Sequence, residues 1–233
     1  MARKNIPIKE VLPKLTTLTT LLTDDENRTL SQNLSVQLYK KNEIIYREGD
    51  TPSSLLCLVM GKVKIHKSGV GGRTQIVRVI SSVDYFGYRA AFAGENYVTA
   101  AAAIEPSVIV KVPISIVNQL LSQNASLAMY FIQHLAKSLG RADERTVNLT
   151  QKHIRGRLAE SLLFLKERYG VEEDGATLSI YLSREDLANL SNMTTSNAIR
   201  TLSNFATEKI IAIDGRKIKL IDESKLEKIS RIG

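Results

Sequence analysis

The chain has 233 residues, 43% hydrophobic and 24% charged, with formal net charge +8 and a pI of about 9.5. That size and apolar fraction support one large or two modest packed domains and argue against disorder. The basic excess suits a polyanionic partner, and no apolar run approaches the ~20 residues of a membrane span.

The first residues, Met1 to Pro7, lack the apolar core of a secretory signal. A cytoplasmic location is expected, and Asn148-Leu149-Thr150 is a chance match to a glycosylation triplet. Ile8 to Leu22 is apolar-periodic but interrupted by Pro13. Thr23-Asp24-Asp25-Glu26 is a capping box that opens a helix to about Leu34.

From Tyr39 the pattern changes. Glu43 to Tyr46 is strand-like, and Glu48-Gly49-Asp50 marks a turn. Leu55 to Met60 and Lys62 to His66 are strands about Gly61. Ser68 to Gly72 is a hairpin tip, since it lacks the Gly-Lys-Ser/Thr ending of a phosphate-binding loop. Gln75 to Ile80, Thr99 to Ile104 and Val108 to Val112 complete a set of short strands. Such spacing predicts a small antiparallel sandwich or barrel.

Cys57 is the single cysteine, set in the apolar run Leu55 to Met60. It reads as core. Alone, it excludes a four-cysteine iron–sulfur cluster and a cysteine-based zinc site. His66, His134 and His153 lack metal-ligand spacing, and neither a metal nor a haem is expected.

After Pro113 a short helix spans Ile116 to Leu121. A long one runs from about Ala125 to Leu149, more than ~35 Å at ~1.5 Å per residue. Leu127, Phe131, Leu135, Leu139 and Ala142 recur along it at near-helical steps. The stripe fits a seam with a second copy, or packing onto the chain's own sheet. Ile154 to Tyr169 is a further amphipathic helix. The acidic loop Glu172-Glu173-Asp174-Gly175 then leads to a strand, Leu178 to Tyr181.

Residues 182–205 form a helix-turn-helix pattern. Ser183 caps the first helix, Asn192 sits at the turn, and Thr194 caps the second. Ala198, Ile199, Leu202 and Phe205 give the second helix an apolar stripe. Thr195, Ser196, Asn197 and Arg200 give it a polar side suited to base edges, although an ordinary helical hairpin in a core fits the same pattern. Lys209 to Ile213, the turn Asp214-Gly215 and the run Arg216 to Ile221 form a hairpin. Arg216, Lys217 and Lys219 suit a phosphate backbone. Residues 150–233 carry 14 Lys+Arg against 12 Asp+Glu, so the positive charge must concentrate on this wing and on Arg184 and Arg200.

Several motifs in register resemble the CRP/FNR family of bacterial transcription regulators. Ile45-Tyr46-Arg47-Glu48-Gly49-Asp50 is similar to the family's apolar–aromatic–x–Glu-Gly-Asp turn. Val59-Met60-Gly61-Lys62-Val63-Lys64 is similar to its glycine hairpin. Asp84-Tyr85-Phe86-Gly87 enters its nucleotide-cradling segment, and Ser183 to Ala188 with Ile199 to Leu202 fit its DNA-binding pattern. The resemblance covers about residues 20–225.

It implies an α+β chain with an antiparallel, jelly-roll-like β-roll sensor over residues 1–122, a long dimerisation helix over 123–150 and a winged helix-turn-helix over 151–233. It implies a homodimer on near-palindromic double-stranded DNA, with RNA polymerase as partner of an activator. Arg184 and the wing would hold phosphates, with Thr194 at the head of the base-reading helix.

The departures bear on the effector. The segment Gly87, Tyr88, Arg89 has Tyr88 where nucleotide-binding members carry a ribose-binding Glu. Val98, Thr99 and Ala100 stand where they carry Arg-Ser/Thr-Ala. Valine cannot replace an arginine–phosphate pair, so cyclic AMP is not the expected ligand. In the second helix, Thr195-Ser196 replaces the Arg-Glu or x-Glu of many relatives, so the half-site is expected to differ or to be less strictly defined. No nucleophile–histidine set or paired-carboxylate motif points to an enzyme. The alternative is a sensing roll that regulates a protein partner with little DNA binding.

Overall fold

A computed structural model describes residues 8–232. These fall into two units, residues 8–68 with 77–139 and residues 69–76 with 140–232.

The first unit begins with α1 (Ile8–Val11) and α2 (Thr16–Thr19), separated by a 3-10 turn at Leu12–Lys14 that contains Pro13. Proline lacks the N–H that a continuous helix needs, so the break falls there. α3 (Asp24–Asn33) opens on the expected capping box: the Thr23 N–H donates to Glu26 Oε2 at 2.8 Å, and Thr23 Oγ1 accepts from the Glu26 N–H.

Two four-stranded antiparallel sheets follow. One has the order β1 (Ser35–Tyr39), β8 (Ser107–Pro113), β3 (Ser54–Met60), β6 (Tyr85–Phe86). The other has the order β2 (Ile44–Tyr46), β7 (Ala100–Ala103), β4 (Val63–Ser68), β5 (Thr74–Ile80). α4 (Tyr88–Ala93), α5 (Ile114–Gln123) and the 27-residue α6 (Ala125–Gln151) complete the order. Sequence patterning misses β1, β6 and α4. β6 has two residues and α4 six, too few to show a period.

β3 explains the unbroken apolar run around Cys57. Successive strand side chains point to opposite faces. Leu55, Cys57 and Val59 pack with residues of α3, α5 and α6, while Leu56 and Leu58 join Val63, Ile65, Phe86, Ala101 and Ile109 inside the roll. Both faces are therefore buried, and each such leucine contributes about 1.5–3 kcal/mol. At Gly61, which links β3 to β4 with φ +95°, a Cβ would come within 2.6 Å of the Pro106 carbonyl oxygen. Any side chain would push the hairpin off its neighbour.

α6 is continuous, and its residues belong to the first unit through Leu139 and to the second from Gly140. The expected stripe on it does not face one way. Leu127 and Phe131 are buried in the first unit's core with Leu135 packed against it, whereas Leu139 is 65% exposed and Ala142 is exposed. The cause is geometric. Four-residue steps overshoot a 3.6-residue turn, so three of them rotate the stripe by about 120°. The open side instead shows Met129, Ile132, Leu139 and Val147.

The second unit contains α7 (Ile154–Tyr169), α8 (Arg184–Leu190), α9 (Thr195–Thr207), β9 (Ile211–Asp214), β10 (Lys217–Leu220) and α10 (Glu223–Ile232). The strand expected over Leu178 to Tyr181 is reduced to single bridges, Val171 with Leu178 and Thr177 with Lys219. The Leu178 N–H donates to the Ile218 carbonyl at 2.9 Å, which seats this segment beside β10. Among the described residues no helix is long and apolar enough to cross a membrane.

Candidate nucleic-acid interface and sensor site

Local hydrogen bonds set the α8–α9 pair. Ser183 Oγ accepts from the Asp186 N–H at 3.0 Å, and Thr194 Oγ1 accepts from the Asn197 N–H at 3.2 Å. Asn192 takes φ +50° in the turn between them, a conformation asparagine tolerates. Leu187, Ala188, Leu190, Met193, Ala198, Leu202 and Phe205 are buried. The Ser191 hydroxyl donates to the Ser161 hydroxyl of α7 at 2.8 Å within this core.

The far end of α9 is anchored as well. Arg155 makes a two-pronged pair with Glu208 at 2.7 and 2.9 Å and lies 4.9 Å over the Phe205 ring. The Arg155 hydrogen bonds hold the Glu208 carboxyl below its ordinary range. Arg145 of α6 donates to the Leu190 carbonyl at 3.0 Å, at the C-terminal end of α8.

Helix α9 thus presents one open face. Thr194, Thr195, Ser196, Ile199 and Arg200 are exposed and Asn197 half-buried. Arg200 Nη2 donates to Asn197 Oδ1 at 2.9 Å. Ile199 departs from the expected apolar stripe and is 48% exposed. It lies about 100° around the helix from the buried Ala198.

The wing is a two-residue hairpin. Asp214 pairs with Lys217, leaving Gly215 (φ +53°) and Arg216 at the tip. Glycine at the first tip position matches the twist of such hairpins. Ile218 and Leu220 face inward while Arg216 and Lys217 are exposed and Lys219 half-exposed. Arg184, expected to hold a phosphate, has its Nη2 donating to the Gly215 carbonyl at 2.7 Å. It fixes the wing to the start of α8.

Two wing lysines face the acidic loop. Lys217 lies 3.4 Å from Glu172, and Lys219 lies 3.1 Å from Asp174. Hydrogen bonds from the Thr177 and Ala176 backbones, then from the Thr177 side chain and Lys219, hold the Asp174 carboxyl well below the usual range.

In the first unit, the expected effector residues take different surroundings, with Arg78 and Arg89 near the Tyr46 hydroxyl and Lys67 at the Val98 carbonyl. Gly87 caps α4 with φ +81°, and an added Cβ would lie 3.1 Å from Leu56 and from the Tyr97 hydroxyl. Tyr88 is buried and its hydroxyl bonds to His134 of α6. Arg89 is exposed, 3.5 Å from Glu95. Val98 is 44% exposed, and its carbonyl accepts from Lys67 at 2.8 Å. Thr99 bonds to Tyr46, and Ala100 opens β7. The Tyr46 and Tyr97 rings stack at 3.8 Å and both are buried. Sequence reading missed this stack and the Tyr88–His134 bond, because their partners are distant in sequence.

Comparison with known proteins decides the identity. A cyclic nucleotide-binding domain profile matches residues 36–124, and a Crp-like helix-turn-helix domain profile matches residues 156–229. The chain belongs to the CRP/FNR family of transcription regulators.

It is 23% identical over 203 residues to a CRP-like cAMP-activated global transcriptional regulator of Mycobacterium tuberculosis, covering 87% of this chain and 91% of the relative. It is 26% identical to a global nitrogen regulator of Nostoc, covering 78% and 83%. Among solved structures it resembles FixK2 from Bradyrhizobium japonicum, with TM-score 0.77, 25% identity, and coverage of 84% and 96%. Like these CRP/FNR proteins it is a DNA-binding regulator and not an enzyme.

Proposed function

We propose that this CRP/FNR regulator binds a near-palindromic duplex as a homodimer, with α9 in the major groove and the wing along phosphates. The open polar face of α9 beside a fixed basic wing carries this reading. Arg200 contacts guanine, a bidentate pair worth about 1–3 kcal/mol of discrimination. Thr195, Ser196 and Asn197 contact neighbouring edges. Arg216, Lys217 and Lys219 hold phosphates, and Arg184 acts by placing the wing. The open α6 stripe provides the seam between copies, and RNA polymerase is the partner at a promoter.

The effector in this reading is not cyclic AMP. Support comes from Tyr88 turned onto α6, Arg89 drawn to Glu95, and the Tyr46–Tyr97 stack inside the roll. A cyclic phosphate is best held by a bidentate arginine, and Val98 stands at the position expected for it, with Arg89 engaged by Glu95.

Selection of bound duplexes from random DNA tests the first part. The expected outcome is an inverted repeat, with the preference altered for Arg200→Ala. A non-repeated site, or the same preference in the variant, contradicts it. Calorimetry tests the second: a micromolar dissociation constant for cyclic AMP contradicts it.

A further inference from the structure

The open face of α9 carries one large apolar side chain among polar ones. Thr195 and Ile199 share one column along the helix, and Ser196 and Arg200 share the next. Ser203 and Asn204 continue the exposed face. An isolated isoleucine on an ordinary surface needs no explanation. This one stands between the first turn and Arg200, on the face that a helix-turn-helix protein turns to base edges. Arg200 is tethered one turn back to Asn197, and Ile199 stays 48% open.

The chemistry narrows the target. Isoleucine neither donates nor accepts a hydrogen bond, and an unpaired polar base edge against it would be left dry at a cost. The major groove offers one apolar group, the C5-methyl of thymine. The neighbouring Thr195 and Ser196 are short, so their reach for hydrogen-bond discrimination is small. We infer that Ile199 is a specificity-determining residue that selects a thymine by packing on its C5-methyl, beside the base contacted by Arg200.

This rests on α9 occupying the major groove, and the test separates the two. Duplexes selected by the full-length protein are resynthesised with each half-site thymine replaced in turn by deoxyuridine, which lacks only the methyl. Affinity is read by fluorescence anisotropy. At one position per half-site the loss for each methyl removed is about 4-fold, the factor expected for one buried carbon. Ile199→Ser, at an exposed position that does not hold the core, binds thymine and deoxyuridine equally there. Methyl dependence at no position, or its persistence in Ile199→Ser, overturns the inference while leaving α9 in the groove. If Arg200→Ala also selects unchanged sequences, α9 is not the reading helix and both ideas fall.

Discussion

The Tyr88 hydroxyl lies 2.6 Å from Nδ1 of His134, joining α4 to α6 across 46 residues of sequence. The ring packs edge-on to Phe131 at 5.2 Å and beside Phe92 at 5.4 Å. Tyr88 is therefore a structural member of the first unit at the position where nucleotide-binding relatives are expected to carry their ribose-binding Glu. Tyr88→Phe keeps the ring and removes the bond. It should lower stability by about 1 kcal/mol, read from urea unfolding of the intact protein. An unchanged midpoint and slope would show that the bond adds nothing.

The two sides of α6 should respond differently to substitution. Met129, Ile132, Leu139 and Val147 are open, at spacings close to a heptad seam. Ile132→Asp with Leu139→Asp should shift the protein to monomer in sedimentation velocity and weaken binding to a repeated site, with unfolding little changed. Phe131→Ala should instead cost about 3–5 kcal/mol of stability, because that ring is 3% exposed in the core. If the double variant remains a dimer, the seam lies elsewhere.

In the proposed complex, phosphates compete with carboxylates for Lys217 and Lys219. Exposed pairs of this kind are weak and displaceable, so Glu172→Gln should release Lys217 to a phosphate. The slope of log affinity against log salt on a random-sequence duplex should then steepen by about 0.9. In a Lys217→Ala background the same change should do nothing. An equal effect in both backgrounds would mean that Glu172 acts as a diffuse charge, not through Lys217.

Alkali should unfold the protein from the first unit's core. Burial, with Asp84 adding to it, pushes the Cys57 thiol up to about 12 from 9.0. Burial also raises the Tyr85, Tyr97 and Tyr46 hydroxyls above their ordinary 10.0. Above pH 9 the unfolded chain loses the thiol proton while the folded chain keeps it. Unfolding then releases protons, and stability falls as pH rises. Thermal melts between pH 8 and 10.5 should show this fall, with its first part flattened in Cys57→Ala. At pH 8 the native thiol should resist a thiol-specific reagent and react only on unfolding. Rapid native labelling would contradict the burial.

What the sequence made legible was local. Caps at Thr23, Ser183 and Thr194 act within three residues, and each forms the hydrogen bond its residue type suggests. Pro13 breaks its helix for an equally local reason. Apolar spacing was less decisive. It grouped Leu127 with Leu139 and Ile199 with Ala198, although a rotation of about 100–120° separates each pair. The Tyr46–Tyr97 stack and the Arg155–Glu208 pair join residues far apart in the chain, where no spacing rule operates. Arg184 was legible as a cation of the helix-turn-helix, but its acceptor on the wing tip was not.

That acceptor is the Gly215 carbonyl, a main-chain group that every amino acid possesses. The latch between α8 and the wing does not depend on the side chains of Arg216 and Lys217. Charge at Arg216 or Lys217 can change through mutation while the hairpin keeps its place. On the proposed reading, substitution at the tip would tune how firmly the protein grips phosphate while leaving the choice of site to α9.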